Sequence, residues 1–499
     1  MSDYNSIYEQ EAMTPPVTET KKKVLSFTRT ESVMACVLLL CGFFVMRFGV
    51  VHPTGLITTL LYWGLLTVEL AFLHRAKLPF NMTDKLLMVT LFLFAGVYTI
   101  TANELIKFLN TVFLIMADGL LLFRLGNDRN AVMRFLPLSL LRSVFELPFS
   151  RFNAAFSAVI SGTRGKKFWK HAAYVLIGLV MTIPLTAIVV TLLIDADDTM
   201  SVMFGHFLST CSPEEMVRIM VQFLIGLLVG AAMFSALYCA SHGTAVLHAD
   251  RCEEQLTSCR FIPGTILYAA ATPVCVLYLM FFFSQIQYFM GGFTGETAGY
   301  TYAGYAQQGF FQLCTVCCIN LAVIAGMGFF ISHTGQEPLV LRLYSCYLCI
   351  CSVFLAGTAM AKMYMYIHVY GLTPLRLYTT WFMVLLVIGF MTLFLRQFVH
   401  KLPVGKIGAD AFILMFGLLC FSRPDALIAR CNAEMYLSGQ IEEFDTSLLY
   451  SLSDDAAAVL TSYSPEEQEQ LDVTHYLFDA DLNRDFYRSL NLSAFMCRD

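Results

Sequence analysis

The sequence predicts an all-α protein, a polytopic helical membrane bundle of about eleven spans with a small helical domain at its C-terminal end. Of the 499 residues, 57% are apolar and only 14% are charged. Apolar runs of about 18 residues or more recur along the chain, and cations gather on alternate connecting segments. This composition excludes a soluble globular protein and predicts a lipid bilayer as the main surrounding. The net charge of -5, with its signs separated by segment, gives no indication of a nucleic-acid partner.

The amino end predicts a polar tail followed by a first span. Residues 1–30 are polar and end in a basic flank, so we expect a disordered cytoplasmic tail. The apolar run 33–51 is too long for a signal-peptide core and is expected to remain as a span. The ten further predicted spans are 55–73, 86–102, 105–124, 172–194, 217–241, 262–283, 310–332, 339–361, 376–397 and 408–422. The transmembrane domain is therefore placed at 31–422.

Charge placement predicts the orientation in the cell membrane. The long segment 125–171 is rich in Lys and Arg, whereas the segment that carries Asp195, Asp197 and Asp198 is acidic. Because positively charged loops stay on the cytoplasmic side, the N-terminus is predicted to be cytoplasmic. An odd number of spans then makes residues 423–499 extracytoplasmic.

Two polar parts of the chain predict further helices. Residues 136–156 mix apolar side chains with Arg142, Glu146 and Arg151, which is typical of an interfacial amphipathic helix. The alternative is a re-entrant segment broken at Pro137 and Pro148. In the C-terminal domain, helix starts are predicted at 423–425, 453–455 and 464–467, with a helix stop at Gly439.

The stretch 363–378 predicts a corner between two spans. Gly371 is suited to the left-handed conformation that ends a helix, and Thr373 with Pro374 is suited to begin the next one. Arg376 lies in the first turn of that helix, where the dipole disfavours a cation, so we predict an ion pair with Asp195 or Asp197. The alternative is an ordinary helical corner with its tyrosines at the lipid headgroups.

Buried acids supply further candidate residues. Asp118 lies in the fourth predicted span, where a carboxylate costs a few kcal/mol unless it is paired, solvated or protonated. We treat it as a functional candidate; the alternative is a protonated carboxyl group or one that is bonded to a neighbouring helix. Glu69 is interpreted as an ordinary boundary acid near His74 and Arg75. The remaining candidates for binding or structure are Tyr370, Gly371, Asp425 and Asn432.

The sequence gives no pattern for a metal or cofactor. Most of the 16 cysteines fall in apolar runs, where cysteine acts as a small hydrophobe. Cys431 and Cys497 lie in polar segments and are candidates for a disulfide bond if that end is outside the cell. The histidines do not show a metal-ligand spacing, and nucleotide-binding motifs are absent from the sequence. We therefore predict no cofactor; the sequence does not determine the oligomeric state.

Four short stretches together resemble a family of bacterial multispanning membrane proteins of unknown function. They are LLIDADDTMSVMF at 192–204, YAGYAQQGFFQL at 302–313, MYMYIHVYGLTPLRLY at 363–378 and PDALIARCNAEMYLSGQIEEFDTSLLYSLSDDA at 424–456. The resemblance covers roughly residues 170–460. It departs from the family at Gln307, where an arginine is usual. It implies a bacterial cell-membrane location and this topology, and it implies no activity.

Three functions fit the sequence. The favoured one is a non-enzymatic envelope protein that presents its outer helical domain to a protein partner or a signal. The second is a secondary transporter or channel that uses Asp118. The third is a membrane-embedded transferase for a lipid-linked substrate, which would need Asp195, Asp197 and Asp198 at one outer cavity.

Overall fold

The computed structural model describes residues 27–51, 55–162, 213–244, 246–294, 310–332, 339–399 and 401–482, together with residues 178, 182, 189 and 192. Within these ranges the regular structure is helical, and one isolated bridge joins Ile262 and Ile331. The predicted all-α class is therefore confirmed.

The first helices form the half of the bundle that contains the candidate site. They are α1 (Arg29–Phe44), which continues as a π-helical segment (Val45–Val51), α2 (Gly55–Arg75), α3 (Met82–Ala95), α4 (Val97–Ile100) and α5 (Glu104–Leu125). α1 begins at a capping box, in which the Thr28 N–H donates to Glu31 Oε2 over 2.7 Å and the Glu31 N–H donates to Thr28 Oγ1. α5 begins at Asn103, whose Oδ1 accepts from the Ile106 N–H over 2.8 Å. α4 and α5 are thus joined by a connection of only three residues.

Short helices follow in the polar loop. They are α6 (Arg129–Arg134), α7 (Leu136–Leu141), a second π-helical segment (Arg142–Glu146), α8 (Leu147–Ser150) and α9 (Phe152–Gly162). Pro137 and Pro148 lie at the first turns of α7 and α8, as proline favours. Ser235 Oγ donates to the Leu147 carbonyl over 3.3 Å, and the Arg151 N–H donates to Ser235 Oγ over 3.1 Å. This segment is therefore divided at the positions expected for the re-entrant alternative, and it packs into the bundle.

The second half of the chain supplies the remaining long helices. They are α10 (Pro213–His242), α11 (Ala249–Ser258), α12 (Gly264–Thr294), α13 (Phe310–Phe330), α14 (Leu339–Tyr370), α15 (Pro374–Phe398) and α16 (Val404–Phe421). Ten helices in the described ranges are long and apolar enough to cross a membrane. They match ten of the eleven predicted spans; the remaining one, 172–194, lies outside the described residues.

Two apolar cores divide the bundle. The first joins α1, α2, α3, α5, α9 and α10, and α16 returns to it through Phe416, Leu419 and Cys420. The second joins α12, α13, α14 and α15. Trp381 on α15 donates to the Met415 carbonyl of α16 over 2.7 Å and thereby connects the two halves.

The ends of the helices define two faces. On the loop face, His242 lies 3.4 Å from Glu31, and the Leu247 N–H donates to Asn127 Oδ1 over 2.6 Å. On the opposite face, which we call the corner face, the turns at 101–103 and 371–373 meet the C-terminal helices. α5 and α10 both end on the loop face.

A buried ion-pair network fixes α3 against α5 on the loop face. Asp84 is fully buried and accepts from the Arg124 Nε and NH2 groups over 3.0 and 2.9 Å. Its second oxygen accepts from Arg129 Nε over 2.8 Å and from the Asn81 N–H over 3.1 Å. The desolvated carboxylate is therefore satisfied on both oxygens.

α1 and α10 cross at glycines. A Cβ atom on Gly42 would lie 2.1 Å from the Gly226 carbonyl oxygen, and one on Gly230 would lie 2.4 Å from the Leu38 carbonyl oxygen. Gly226 and Gly230 form the GxxxG spacing that allows close helix contact in membranes. This close crossing, which the spacing could have predicted, brings α10 to the cavity described below.

The C-terminal helices form a unit with its own small core. They are α17 (Pro424–Leu437), α18 (Thr446–Leu449), α19 (Asp454–Leu460), α20 (Pro465–Gln470) and α21 (Thr474–Leu482). Its core includes Ala433, Leu449, Leu460 and Val473. Gly439 has a φ of +74° after α17, and Ser453 and Ser464 precede α19 and α20, so the predicted stop and starts are confirmed. We call residues 424–482 the C-terminal helical unit.

Candidate functional site

The candidate site is a cavity of about 290 Å³ inside the first half of the bundle. Its walls come from α1, α2, α5, α10 and the two π-helical segments, with α3 contributing Leu91 and α8 contributing Pro148. The wall side chains are mostly aliphatic, for example Leu38, Leu65, Leu114 and Met233. The volume lies at the lower end of the roughly 300–1,000 Å³ that is usual for small-molecule sites.

Two carboxyl groups meet in this apolar cavity. Glu69 on α2 and Asp118 on α5 both line it and lie close enough for their carboxyl groups to interact electrostatically. Glu69 lies six residues from the end of α2 at Arg75, and Asp118 lies seven from the end of α5 at Leu125. At a rise of 1.5 Å per residue, the pair is about 10 Å inside the loop-face end of the helices. Glu69 is thus not a boundary acid, and that sequence-based interpretation is wrong because α5 brings Asp118 against it.

The pair is incompletely satisfied. Glu69 Oε1 and Asp118 Oδ1 are buried, and neither has a hydrogen-bond partner in the described part of the chain. Both residues line the cavity, and each residue as a whole is only partly buried. A buried acceptor without a donor costs about 1–3 kcal/mol, so this arrangement is unfavourable for stability alone.

Few other polar groups border the cavity. Tyr62 is the one further titratable side chain among its described lining residues, and its ring stacks on Tyr98 at 5.4 Å. Arg47 belongs to the first π-helical segment but donates to Gln222 over 3.3 Å. None of the described residues that line the cavity is basic. The two acids therefore have no cation from the described walls.

Both π-helical segments border the same cavity. Val45 and Val50 of the first segment and Ser143 and Val144 of the second lie in its walls. The second segment approaches α5 closely, because a Cβ atom on Gly119 would lie 3.2 Å from the Ser143 carbonyl oxygen. Such irregular turns occur frequently at functional sites in helical proteins.

The predicted corner is a separate site on the corner face. Gly371 has a φ of +74° between α14 and α15, and its own N–H donates to the Ile367 carbonyl over 2.8 Å. Asn432 of α17 accepts from the Leu372 N–H over 2.6 Å and donates to the Leu372 carbonyl over 2.8 Å. A Cβ atom on Gly371 would lie 2.8 Å from Asn432 Oδ1, so glycine is required here for both backbone and space.

Arg376 uses partners that the sequence did not predict. Its NH1 group donates to the Tyr370 carbonyl over 3.1 Å and to the Gly371 carbonyl. Its guanidinium lies 4.1 Å from the centre of the Tyr366 ring. The negative end of the α14 dipole thus compensates a cation in the first turn of α15. The predicted pairing with Asp195 or Asp197 stays a prediction, since both residues lie outside the described ranges.

Two buried acids attach the C-terminal helical unit to the turn at 101–103. Asp455 Oδ2 accepts from Thr101 Oγ1 over 2.5 Å and from the Ala102 N–H over 2.9 Å. Arg423 NH2 lies 3.2 Å from Asp455 Oδ1. Asp425 Oδ2 accepts from Asn103 Nδ2 over 2.8 Å and from the Ser453 N–H over 3.0 Å. We call these contacts, together with those of Asn432, the corner-face dock.

The candidates predicted from the sequence thus fall into two groups. Tyr370, Gly371, Arg376, Asp425 and Asn432 gather at the corner face, whereas Asp118 lies in the intramembrane cavity. The sequence did not predict that Asp455 binds the turn at 101–103 or that Glu69 lies in the cavity with Asp118. The capping pattern in SDDA at 453–456 predicts a helix start but does not reveal that Asp455 also binds a distant turn. Within the described ranges, no group of three or more His, Cys, Asp or Glu side chains is placed to hold a metal ion.

Ten helices in the described ranges that are long and apolar enough to cross a membrane define a multi-pass integral membrane protein. A family model described as Domain of unknown function (DUF4153) matches residues 88–463, which is more than half of the chain. The protein belongs to this family. The match begins well before residue 170, where the sequence resemblance began. No curated protein and no solved structure matches the chain.

Proposed function

We propose that this protein is a proton-linked membrane carrier in which Glu69 and Asp118 exchange protons with a transported molecule. The observation that supports the proposal is the pair of neighbouring carboxyl groups in a mostly apolar cavity between spans. Ionisable groups at such depth are expensive, and they mark proton relays and substrate paths in membrane proteins.

The chemistry of the pair supports proton exchange. Two ionised carboxylates would place two negative charges close together within an apolar cavity, which is strongly unfavourable, so the pair keeps at least one proton. A second proton makes the pair neutral, and this second proton leaves when a bound molecule replaces its stabilising effect. Binding of that molecule and proton release are thereby coupled.

The test is transport by the full-length protein in liposomes. Vesicles with an imposed pH gradient are offered anionic, neutral and cationic tracer molecules. We expect gradient-dependent uptake of at least one tracer, with at least a tenfold loss in Asp118→Asn and in Glu69→Gln. Asp410→Asn is the matched control, because Asp410 is an exposed acid on α16 that does not line the cavity. Uptake of no tracer, or equal uptake by both cavity variants and the wild type, would overturn the proposal.

The orientation that we propose is a cytoplasmic N-terminus and an extracytoplasmic C-terminal helical unit, in a bacterial cell membrane. Arg124, Arg129 and Arg134 lie on the loop face, which agrees with a cytoplasmic loop face. A membrane-impermeant thiol reagent added to intact cells should label Ser451→Cys but not Thr257→Cys, after subtraction of the wild-type signal. Labelling of Thr257→Cys alone would mean that the orientation is reversed.

A second candidate function is presentation of the C-terminal helical unit to a protein partner or signal, without enzymatic activity. It is favoured by the exposure of Tyr450 and Phe478 on a unit that is held firmly by the corner-face dock. A photo-cross-linking residue at Phe478 should give one discrete adduct in whole cells, and one at the exposed Glu466 should not. Equal or absent adducts at both positions would exclude this function. The transferase hypothesis depends on Asp195, Asp197 and Asp198, which lie outside the described residues.

A further inference from the structure

The lining of the cavity indicates the chemical class of its ligand. The inference of that class rests on the proposed function. We infer that its ligand is a small cationic amphiphile, a protonated amine attached to an apolar body. The juxtaposition that supports this is two carboxyl groups, of Glu69 and Asp118, in a cavity whose walls are otherwise mostly apolar.

The carboxyl groups of Glu69 and Asp118 specify the polar end of the ligand. Carboxylate oxygens are acceptors that need N–H or O–H donors, and none of the described lining residues is basic. An ammonium group carries up to three donors and a positive charge, so one group can bind both carboxyl groups. An anionic ligand would meet like charges, and a neutral apolar ligand would supply no donor.

Charge balance specifies one cation for one proton. A carboxyl pair that shares one proton has a net charge of -1, and a singly charged ammonium neutralises it. Uptake of a second proton makes the pair neutral without the ligand, so the amine loses its ion pair and leaves. Each cycle thus exchanges one proton for one cation, and no bond other than those to protons is made or broken.

The charged and titratable groups around the pair do not neutralise its negative charge. Tyr62 on α2 lines the cavity and carries no positive charge. Arg47 on the first π-helical segment donates to Gln222. On the second π-helical segment Arg142 and Glu146 lie 3.4 Å apart and are partly exposed. α10 contributes only apolar and small residues to the walls as described. The cation that neutralises the pair therefore comes from outside the described walls.

The walls specify the apolar end of the ligand. Lining residues extend over Leu114–Leu122 of α5 and Val229–Leu237 of α10, about 12 Å along each helix. A cavity of about 290 Å³ with this length suits a single short alkyl chain or one ring. The Tyr62 ring in the wall can add a cation–π contact.

The experiment compares three eight-carbon probes on the full-length protein in nanodiscs: octylamine, octanol and octyltrimethylammonium. Binding is measured by the shift of the thermal unfolding midpoint and by calorimetry in two buffers that differ in ionisation enthalpy. We expect octylamine to bind at least tenfold more tightly than octanol and to release protons. Octyltrimethylammonium has the charge without N–H donors and should bind with intermediate affinity.

Cavity variants separate the site from general adsorption to lipid. Asp118→Asn and Glu69→Gln should reduce octylamine affinity at least tenfold and leave octanol affinity unchanged, whereas Asp410→Asn should change neither. Asp118→Glu and Glu69→Asp should restore part of the octylamine affinity, which a merely unfolded variant would not do. Equal affinity for octylamine and octanol in the wild type, or unchanged octylamine affinity in both cavity variants, would overturn the inference.

The outcomes distinguish this inference from the proposed function. Specific octylamine binding without gradient-driven transport would contradict the carrier and support the ligand class. Gradient-driven transport of an anionic or neutral tracer without octylamine binding would support the carrier and contradict the ligand class.

Discussion

The corner-face dock and the intramembrane cavity both bury acidic side chains, but they treat them differently. Asp455 and Asp425 are almost completely buried, and each accepts hydrogen bonds from the turn at 101–103 and from the residue that precedes the other one's helix, Arg423 for Asp455 and Ser453 for Asp425. Glu69 and Asp118 each retain one oxygen without a partner. The contacts of the dock hold one arrangement, and the unpartnered oxygens of the cavity pair agree with our proposal that the cavity binds a ligand.

Asp455→Ala should give the largest effect on stability. The change removes three contacts from a buried carboxylate and leaves Arg423 without its 3.2 Å ion pair. Breaking one partner of a buried pair costs about 3–5 kcal/mol. The measurement is unfolding of the full-length protein, together with the rate of proteolysis between residues 424 and 482. Asp454→Ala is the control, because Asp454 is exposed and its loss should cost less than about 1 kcal/mol.

Gly371→Ala should cause the second largest loss of stability, and this loss should exceed that caused by Gly439→Ala. Both glycines have a φ of +74°, so both variants lose about 1–2 kcal/mol from the left-handed backbone. Only at Gly371 does the new methyl group meet Asn432 Oδ1 at 2.8 Å, whereas nothing lies within 4 Å at Gly439. The measurement is the unfolding free energy of each variant.

The double variant Gly371→Ala with Asn432→Ala tests the cause of that difference. Removing the Asn432 side chain removes the clash, so the two losses should be less than additive. Fully additive losses would mean that Asn432 is not the group that makes Gly371 necessary.

Asp118→Asn and Glu69→Gln should give a small effect on stability despite their loss of transport. An amide supplies the donor that the neighbouring carboxyl group lacks, so the unfolding free energy should change by less than about 1 kcal/mol in either direction. Thermal unfolding in nanodiscs measures it. A loss as large as that of Asp455→Ala would make the cavity pair structural and would remove the contrast with the dock.

The smallest predicted effect on stability is that of Glu467→Gln. This effect depends on pH. The Glu467 carboxylate accepts from the Ser464 N–H over 2.9 Å, and these hydrogen bonds lower the pKa of this exposed side chain. The stabilisation is therefore present above the ordinary glutamate pKa of about 4.3 and is lost as the pH falls through the lower folded-state value. Glu467→Gln should flatten this part of the stability profile between pH 5 and pH 3. An unchanged profile would show that the capping box does not contribute.

The two regions also differ in how far the sequence predicted them. The corner was recognisable because Gly371, Thr373 and Pro374 act through local backbone preferences. The carbonyl groups that accept from Arg376 were not predicted, because every residue has a backbone carbonyl and the sequence does not show which ones the side chain reaches. Asp118 was recognisable as an expensive residue, but its contact with Glu69 depends on how α2 packs against α5.

The sequence by itself determined the all-α membrane class, the ten apolar helices of spanning length in the described ranges, and the helix starts and stops of the C-terminal helical unit. It did so because hydrophobic length and capping preferences are local properties of the chain. Only the tertiary structure decided that Glu69 belongs with Asp118 and that Asp455 belongs with residues 101 and 102. These contacts join residues that are 49 or more positions apart in the sequence. They depend on the packing of whole helices, which the local preferences of the chain do not specify.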